Sequence, residues 1–278
     1  MAAFERCFDL SQTEDEFQVW IRYVRPLLAD LPANVLGICE YGFTEVFNNA
    51  IDHSRGSSIL VRCSRDESGI LIELEDDGIG IFASLCQHFS LDSEIHAAIE
   101  LVKGKMTVAP ERHSGEGLFF ASKVFDSFSL ESGTLKLDFA EQHCAVSSIT
   151  ARVGTRVSMR IAEACPRQAQ DVFNRYCDPD SFAFRKTRLA VALAAFEGGL
   201  VSRSQAKRVA ARFEQFGEVE LDFTGVEQIG QAFADELLRV WPLAHPQTRV
   251  IPMYADGRVA QMIEHVGARC DLPQPERP

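Results

Sequence analysis

Residues 45–53 read EVFNNAIDH and place two carboxylates, two amides and an imidazole inside a helical pattern. Apolar residues around them recur every three or four positions, as on one buried helix face: Cys39, Phe43, Val46, Phe47 and Ala50. Glu45, Asn49 and either Asp52 or His53 follow the same period, displaced by part of a turn. This polar stripe indicates either a solvated helix edge or one wall of a ligand site.

The next informative segment, LIELEDDGIGIF (residues 71–82), alternates as a strand through Glu75 and then breaks. Asp76 ends the strand, where its carboxylate can accept a hydrogen bond from an exocyclic amine such as that of adenine. Gly78 and Gly80 allow the backbone to approach a ligand closely. A simple turn is the alternative, since DDG is a common turn sequence. The chain contains neither GxGxxG nor GxxxxGK[ST], so the two common phosphate-loop signatures are missing.

A third segment, HSGEGLFFASKVF (residues 113–125), places Gly115 and Gly117 before an apolar-periodic helix. Backbone N–H groups at such a helix start can hold phosphate, and the helix dipole favours the negative charge. A hinge before a surface helix is the alternative. Basic residues cluster around and before this segment: Lys103, Lys105, Arg112 and His113. They form either a solvated loop or the countercharge for a triphosphate.

The first half of the chain predicts helices on one face of a mostly antiparallel sheet. Helices are predicted over residues 14–29, 34–54 and 116–126, with a helical and irregular stretch over 82–114. Strands are predicted near residues 58–65, 69–76, 127–139, 143–149 and 154–161. The strands follow one another as hairpin-like neighbours, which favours antiparallel pairing and an α/β sandwich.

The second half predicts a smaller α/β domain. The irregular stretches EACPRQAQ and CDPDS place a linker or connecting helix between about residues 163 and 181. A strand is predicted in SFAFRKTRL, and a helix capped by Ser202 is predicted to run to Gly217. Then follow a strand in EVELDF, a helix in FADELLRVW, a strand in TRVIPMY and a helix in GRVAQMIEHVG.

Charge is unevenly distributed along the chain. The net charge is -12, and residues 1–163 hold 14 Lys and Arg against 25 Asp and Glu. Residues 164–278 hold 14 against 15. A polyanionic ligand in the first half therefore needs a metal ion or a local basic loop, and nucleic acid is disfavoured as a partner.

The cysteines and the hydropathy indicate the compartment. Eight cysteines are scattered with no CxxC pair and no metal-ligand spacing, which predicts free buried thiols in a reducing compartment rather than disulfides or zinc. No apolar run of about 18 residues and no leader-like start is present, so we expect no membrane association and no export. The predicted location is the cytoplasm.

Four motifs in order resemble the GHKL superfamily of ATP-binding domains, shared by gyrase, the heat-shock chaperone, histidine kinases and MutL. They are E45xxxN49A50xxH53, D76xG78xG80, G115xG117L118 and G154T155, and they cover about residues 34–161. Glu at the first position and His53 after the NA pair are most similar to the anti-sigma-factor serine kinases and the hydrolysing branch. The resemblance implies a two-layer α/β sandwich with a mostly antiparallel sheet.

The resemblance also implies a role for each matching residue. Asn49 would hold the Mg2+ that bridges the phosphates of ATP, and Glu45 would act as general base. Asp76 would bind the adenine amine with Thr155 in the same network. Gly78 and Gly80 would let the backbone approach the base and ribose closely. Gly115 and Gly117, with Leu118, would form the lid over the phosphates. Asp52 and His53 would lie behind these residues. Lys105 belongs to none of the four motifs and would add countercharge as part of the basic cluster.

The segment VELDFTGVEQIGQAFADELLRVW is similar to a STAS-like domain, over roughly residues 182–270. In STAS partners of anti-sigma kinases, a Ser at the start of the following helix accepts phosphate. Here Ile229–Phe233 reads IGQAF, with no hydroxyl at that place, and Thr224 has no assigned role. Arg203 with Lys207, and Arg208 with Arg212, stand four apart on the predicted Ser202 helix, as a solvated face or as a docking surface.

Together these patterns predict a GHKL domain over residues 1–163, a linker over 164–181 and a STAS-like domain over 182–278. The expected function is that of a cytoplasmic bacterial regulatory protein. It is expected to bind Mg-ATP, with slow hydrolysis or serine/threonine phosphotransfer by Glu45, and to couple this to the STAS-like interaction domain. A silent ATP-dependent interaction switch is the main alternative, and a structural α/β protein whose glycines form turns is the other. The expected partners are ATP or ADP, an unidentified regulatory protein and, by analogy with the superfamily, a second copy of the chain.

Overall fold

The computed structural model describes residues 3–12, 15–106, 115–140, 143–196 and 198–267. The chain divides into two compact units, Met1–Phe173 and Asn174–Pro278. Among the helices of the described ranges, none has the length and apolar character needed to cross a membrane.

Within the described residues, the first unit contains a five-stranded antiparallel sheet with the spatial order β1-β2-β3-β5-β4. The strands are β1 (Ala3–Asp9), β2 (Ser58–Asp66), β3 (Gly69–Asp76), β4 (Ser127–Ala140) and β5 (His143–Ile161). The helices are α1 (Glu16–Val19), α2 (Ala33–His53), α3 (Ile81–Phe89), α4 (Glu94–Lys103) and α5 (Gly117–Val124). A π-helical turn (Trp20–Val24) and a 3-10 turn (Arg25–Leu27) continue α1. The predicted sandwich is confirmed.

The two faces of this sheet differ in chemistry. On one face, alternate apolar residues of β3, such as Ile72 and Leu74, are buried under helices. The predicted apolar stripe of α2 is buried on the same side: Cys39, Phe43, Val46, Phe47 and Ala50. On the other face, Glu75 pairs with Arg156 at 2.7 Å, within a wider set of ion pairs. The alternation therefore directs the core to the helix side and leaves the other face polar.

Two features of the sheet differ from the sequence prediction. The pattern does not predict β1, because Phe8 is its only buried residue and the strand carries little alternation. The predicted strands 143–149 and 154–161 form a single strand, β5. Gly154 has a φ of 74°, and the β4–β5 register shifts near Gly133, so an irregularity within one strand looks like a break in the sequence.

The second unit, in its described residues, contains a parallel sheet in the order β6-β7-β8. These strands are β6 (Lys186–Ala190), β7 (Glu218–Asp222) and β8 (Arg249–Met253). α6 (Ala169–Tyr176) connects the two units, and the later helices are α7 (Ala192–Ala195), α8 (Arg203–Ala210), α9 (Gln231–Asp235), α10 (Trp241–Ala244) and α11 (Gly257–His265). A π-helical turn (Glu236–Val240) joins α9 to α10. The predicted smaller α/β domain is confirmed.

The predicted end of the Ser202 helix is wrong. Ser202 caps α8 in a complete capping box, but the helix ends at Ala210 rather than Gly217. Arg212 has a left-handed φ of 63°, and a 3-10 turn follows that buries Phe213. Burial of that ring takes the chain off the helical path. Arg208 and Arg212 therefore do not share a helix face.

Candidate functional site

The first unit contains a cavity of about 220 Å³ walled by α2, α3, α5 and the sheet. From α2 the wall takes Tyr41, Glu45, Asn49 and His53, which stand four residues apart along one stripe. Asp52 is exposed and lies outside the wall. The polar stripe of α2 is therefore a cavity wall rather than a solvated edge.

Asp76 lies in the wall at the end of β3 and is only 9% exposed. Its Oδ1 accepts a hydrogen bond from the Gly78 N–H at 2.9 Å. Burial raises the pKa of the Asp76 carboxyl above its usual value, and hydrogen bonds from Gly78 and Thr155 partly oppose that rise. Thr155 also lies in the wall, and its Oγ1 accepts from the Ile81 N–H at 3.0 Å. A buried acceptor and a fixed hydroxyl thus stand side by side.

Asp77, the next residue, has the opposite environment. It is exposed, and its Oδ1 accepts from the backbone N–H groups of Ser57 at 2.7 Å and Ser58 at 2.9 Å. Hydrogen bonds from Ser57 and Ser58 hold the pKa of Asp77 well below its usual range. Asp77 therefore fastens the turn after β3 to the start of β2, while Asp76 lies in the cavity wall. Gly78 packs against the backbone of Ser54 and is not part of the wall.

Position 80 accommodates only a residue without a side chain. Its φ is 83°, a left-handed value that glycine adopts readily. A Cβ at this position would lie 3.1 Å from the Gly154 carbonyl oxygen. Glycine therefore lets the turn after β3 pass close to β5 at the cavity rim, where Gly80 and Thr155 both contribute to the wall.

The N-terminus of α5 opens onto the cavity. Gly115, Gly117 and Leu118 lie in the wall together with Glu116. Among the described residues, no side chain caps this helix start. The first N–H groups of an α-helix have no acceptor within the helix, and the positive end of the helix dipole lies at the same end. A Cβ on Gly117 would overlap the Glu45 carboxylate, so glycine allows the helix start to approach α2 closely.

The two described residues of the predicted basic cluster, Lys103 and Lys105, do not line the cavity. Lys103 is fully buried and its Nζ lies 2.5 Å from Glu100. Lys105 is not among the residues of the described wall, which contains its neighbour Met106. Lys105 has a φ of 56° directly after a left-handed glycine, so the chain turns sharply after α4. Two further predicted members, Arg112 and His113, lie outside the described residues.

Several wall residues were not predicted from the sequence. Tyr41 lies in the wall with its hydroxyl 3.5 Å from the Gly117 carbonyl oxygen. Its position four residues before Glu45 is the signal that could have identified it. Ser84 and Met106 also line the cavity, and no motif in the sequence marks them.

The wall offers oxygen ligands suited to a metal that is bound mainly by phosphate. In the residues for which coordinates are described, no group of three or more His, Cys, Asp or Glu side chains could hold a metal ion. Mg2+ needs no such cage, because it commonly takes one or two protein oxygens together with phosphate and water. The Asn49 amide oxygen fits that donor set, and Glu45 lies one helical turn away.

The second unit has a buried ion pair at the carboxyl ends of its strands. Arg188 on β6 donates to Asp222 on β7 at 2.8 Å, and both side chains are 2% exposed. The Thr224 N–H also donates to Asp222 at 2.9 Å. The Tyr254 ring lies 5.0 Å from the Arg188 guanidinium carbon. These contacts tie the three strand ends together.

Comparison with known families agrees with both folds. The family model of the histidine kinase-like ATPase domain matches residues 10–140, a range that contains the α2 stripe, Asp76 and Gly117. Thr155 lies beyond the matched range. The model of a STAS-like domain of unknown function matches residues 205–257. A search of curated proteins gives no match. The chain therefore carries a histidine kinase-like ATPase domain of the GHKL type, followed by a STAS-like domain.

Proposed function

We propose that the cavity of the first unit binds Mg-ATP and that Glu45 promotes slow transfer of the γ-phosphoryl group. The observation that supports this most directly is the convergence of Glu45 and Asn49, Asp76 and the α5 N-terminus on one cavity. A histidine kinase-like ATPase domain implies ATP as the ligand. The bound state would serve a regulatory role through the STAS-like domain, in the cytoplasm.

Each wall residue has a distinct task in this proposal. The buried Asp76 carboxylate accepts a hydrogen bond from the adenine amine, and Thr155 steadies that acceptor. The first N–H groups of α5 would hold phosphate oxygens, and the Asn49 amide oxygen would hold the metal ion. Mg2+ would neutralise charge on the phosphates when bound.

Glu45 then takes the proton from a water or from a serine or threonine hydroxyl. The attacking oxygen forms a bond to the γ-phosphorus while the bond from that phosphorus to the β–γ bridging oxygen breaks, and ADP leaves. Hydrolysis and transfer to a partner protein use the same groups and differ only in the oxygen that attacks. The alternative is a catalytically silent switch that binds ATP and changes its protein contacts. An unidentified regulatory protein and a second copy of the chain are the proposed macromolecular partners.

The adenine contact predicts nucleotide selectivity. We expect ATP to bind at least tenfold more tightly than GTP, because guanine places a carbonyl oxygen where adenine has an amine. Two acceptors would then face each other across a buried contact, which is unfavourable. Calorimetric titration of the full chain with each nucleotide and Mg2+ measures the ratio. Equal affinities would show that Asp76 does not distinguish adenine from guanine.

A further inference from the structure

The segment that leaves the sheet after β5 is fastened to two helices of the cavity. The Asn34 side-chain amide, in the first turn of α2, donates to the carbonyl oxygens of Cys165 at 2.8 Å and Arg167 at 2.9 Å. The Arg167 guanidinium donates to the Val124 carbonyl oxygen at 2.8 Å and pairs with Asp126 at 2.9 Å. Val124 is the last residue of α5. A displacement of α2 or α5 would therefore also displace this segment.

The same segment continues into α6, where Phe173 contacts two residues of the cavity wall. Its ring centroid lies 5.4 Å from that of Tyr41 on α2 and 4.8 Å from that of Phe120 on α5, both edge to face. Tyr41 and Phe120 both line the cavity. Edge-to-face aromatic contacts depend on ring orientation, so a small displacement of either partner changes them.

One end of α5 lines the cavity, and the other end is bound by the segment that follows β5. Its first residues, Gly117 and Leu118, line the cavity, and its last carbonyl group, on Val124, is bound by Arg167. A displacement of α5 on ligand binding would therefore carry Phe120 and Val124 together, because the helix is rigid over eight residues. Both of these residues contact the segment that leads through α6.

We propose that occupancy of the cavity is transmitted to α6 through Phe173 and Arg167, so that α6 reports the ligand state. α6 is the covalent connection to the STAS-like unit, since it spans the boundary after Phe173. The inference rests on the proposed function, because ATP supplies the occupancy. A ligand can shift α6 only if it interacts differently with two arrangements of α5, and we expect phosphate held at the start of α5 to favour one of them.

Amide hydrogen exchange of the full chain tests this coupling, with Mg2+ and a non-hydrolysable imido analogue of ATP at saturation. In the wild type, we expect exchange in both α5 and α6 to change at least tenfold on ligand addition. In Phe173→Leu, α5 should keep its response, while the α6 response should fall below threefold. Arg167→Gln, a change at a half-buried residue, should also weaken the α6 response. Phe182→Leu is the matched control, because Phe182 is 73% exposed.

Each outcome bears on a separate claim. If calorimetry detects no nucleotide binding, both the proposed function and the coupling are overturned. If the ligand binds and protects α5 but α6 is unchanged in the wild type, the coupling is overturned and the proposed function stands. A full α6 response in both Phe173→Leu and Arg167→Gln would overturn the route through these residues.

Discussion

Replacing Glu45 by Gln should lower ATP turnover by about a hundredfold to ten-thousandfold while leaving ATP bound, because a positioned general base contributes that much. Gln keeps the size of the side chain and its place against Gly117 but cannot accept the proton of the attacking group. Release of labelled phosphate, and labelling of protein in a bacterial extract, measure turnover by either route. Calorimetry measures binding separately.

Glu5→Gln is the matched control for this experiment. Glu5 lies on β1 and pairs with Arg62 on the strand beside it, outside the cavity wall. Its turnover should equal that of the wild type. Undiminished turnover in Glu45→Gln would exclude Glu45 as the base. Tight binding with no turnover in the wild type would favour the silent switch.

Replacing Asp76 by Asn should weaken ATP binding by roughly tenfold to a hundredfold, the loss expected for one hydrogen bond to a charged group. The amide group would place a donor where the adenine amine also donates. Folding should survive, because burial already disfavours the ionised carboxylate and the Oδ1 of an Asn can still accept the Gly78 N–H. Calorimetry and thermal melting should therefore diverge, with affinity lost and the melting temperature kept.

Because of Asp76, the affinity for ATP should fall as the solution becomes more acidic. As the pH falls through the raised pKa of Asp76, the carboxyl group gains a proton and can no longer act as a charged acceptor. Wild-type affinity should then fall towards that of Asp76→Asn, whose own affinity should change less. Asp138→Asn is the control, since Asp138 pairs with Lys136 on β4 and lies outside the wall. A wild-type affinity independent of acidic pH would contradict the role of Asp76.

The helix α2 and the β2–β3 hairpin could be predicted because their burial is periodic. Cys39, Phe43 and Phe47 mark the buried face of α2, and Glu45 and Asn49 mark the cavity face beside it. The structure then brings Asp76, Gly80, Gly117 and Thr155 to the same cavity. Four motifs spaced across the chain could indicate this convergence only through the family resemblance, because no local pattern links them.

Other features depend on tertiary contacts and leave little trace in the sequence. β1 is mostly exposed, so its alternation carries almost no hydrophobic signal. The irregularity at Gly154 divides one strand into two apparent ones. Lys105 follows a left-handed turn that a charge pattern does not reveal. The contact of Phe173 with Tyr41 joins residues far apart in the chain, and only the fold identifies it.

Calorimetric titration of ATP into the wild-type full chain, with Mg2+ and again with the metal chelated, tests the central claim most directly. We expect saturable binding of one ATP per chain, weakened at least tenfold when Mg2+ is removed, because the Asn49 amide oxygen would hold the metal ion that offsets the phosphate charge. Absence of both heat and thermal stabilisation with ATP and ADP would contradict it. The cavity would then be that of a GHKL fold without its nucleotide.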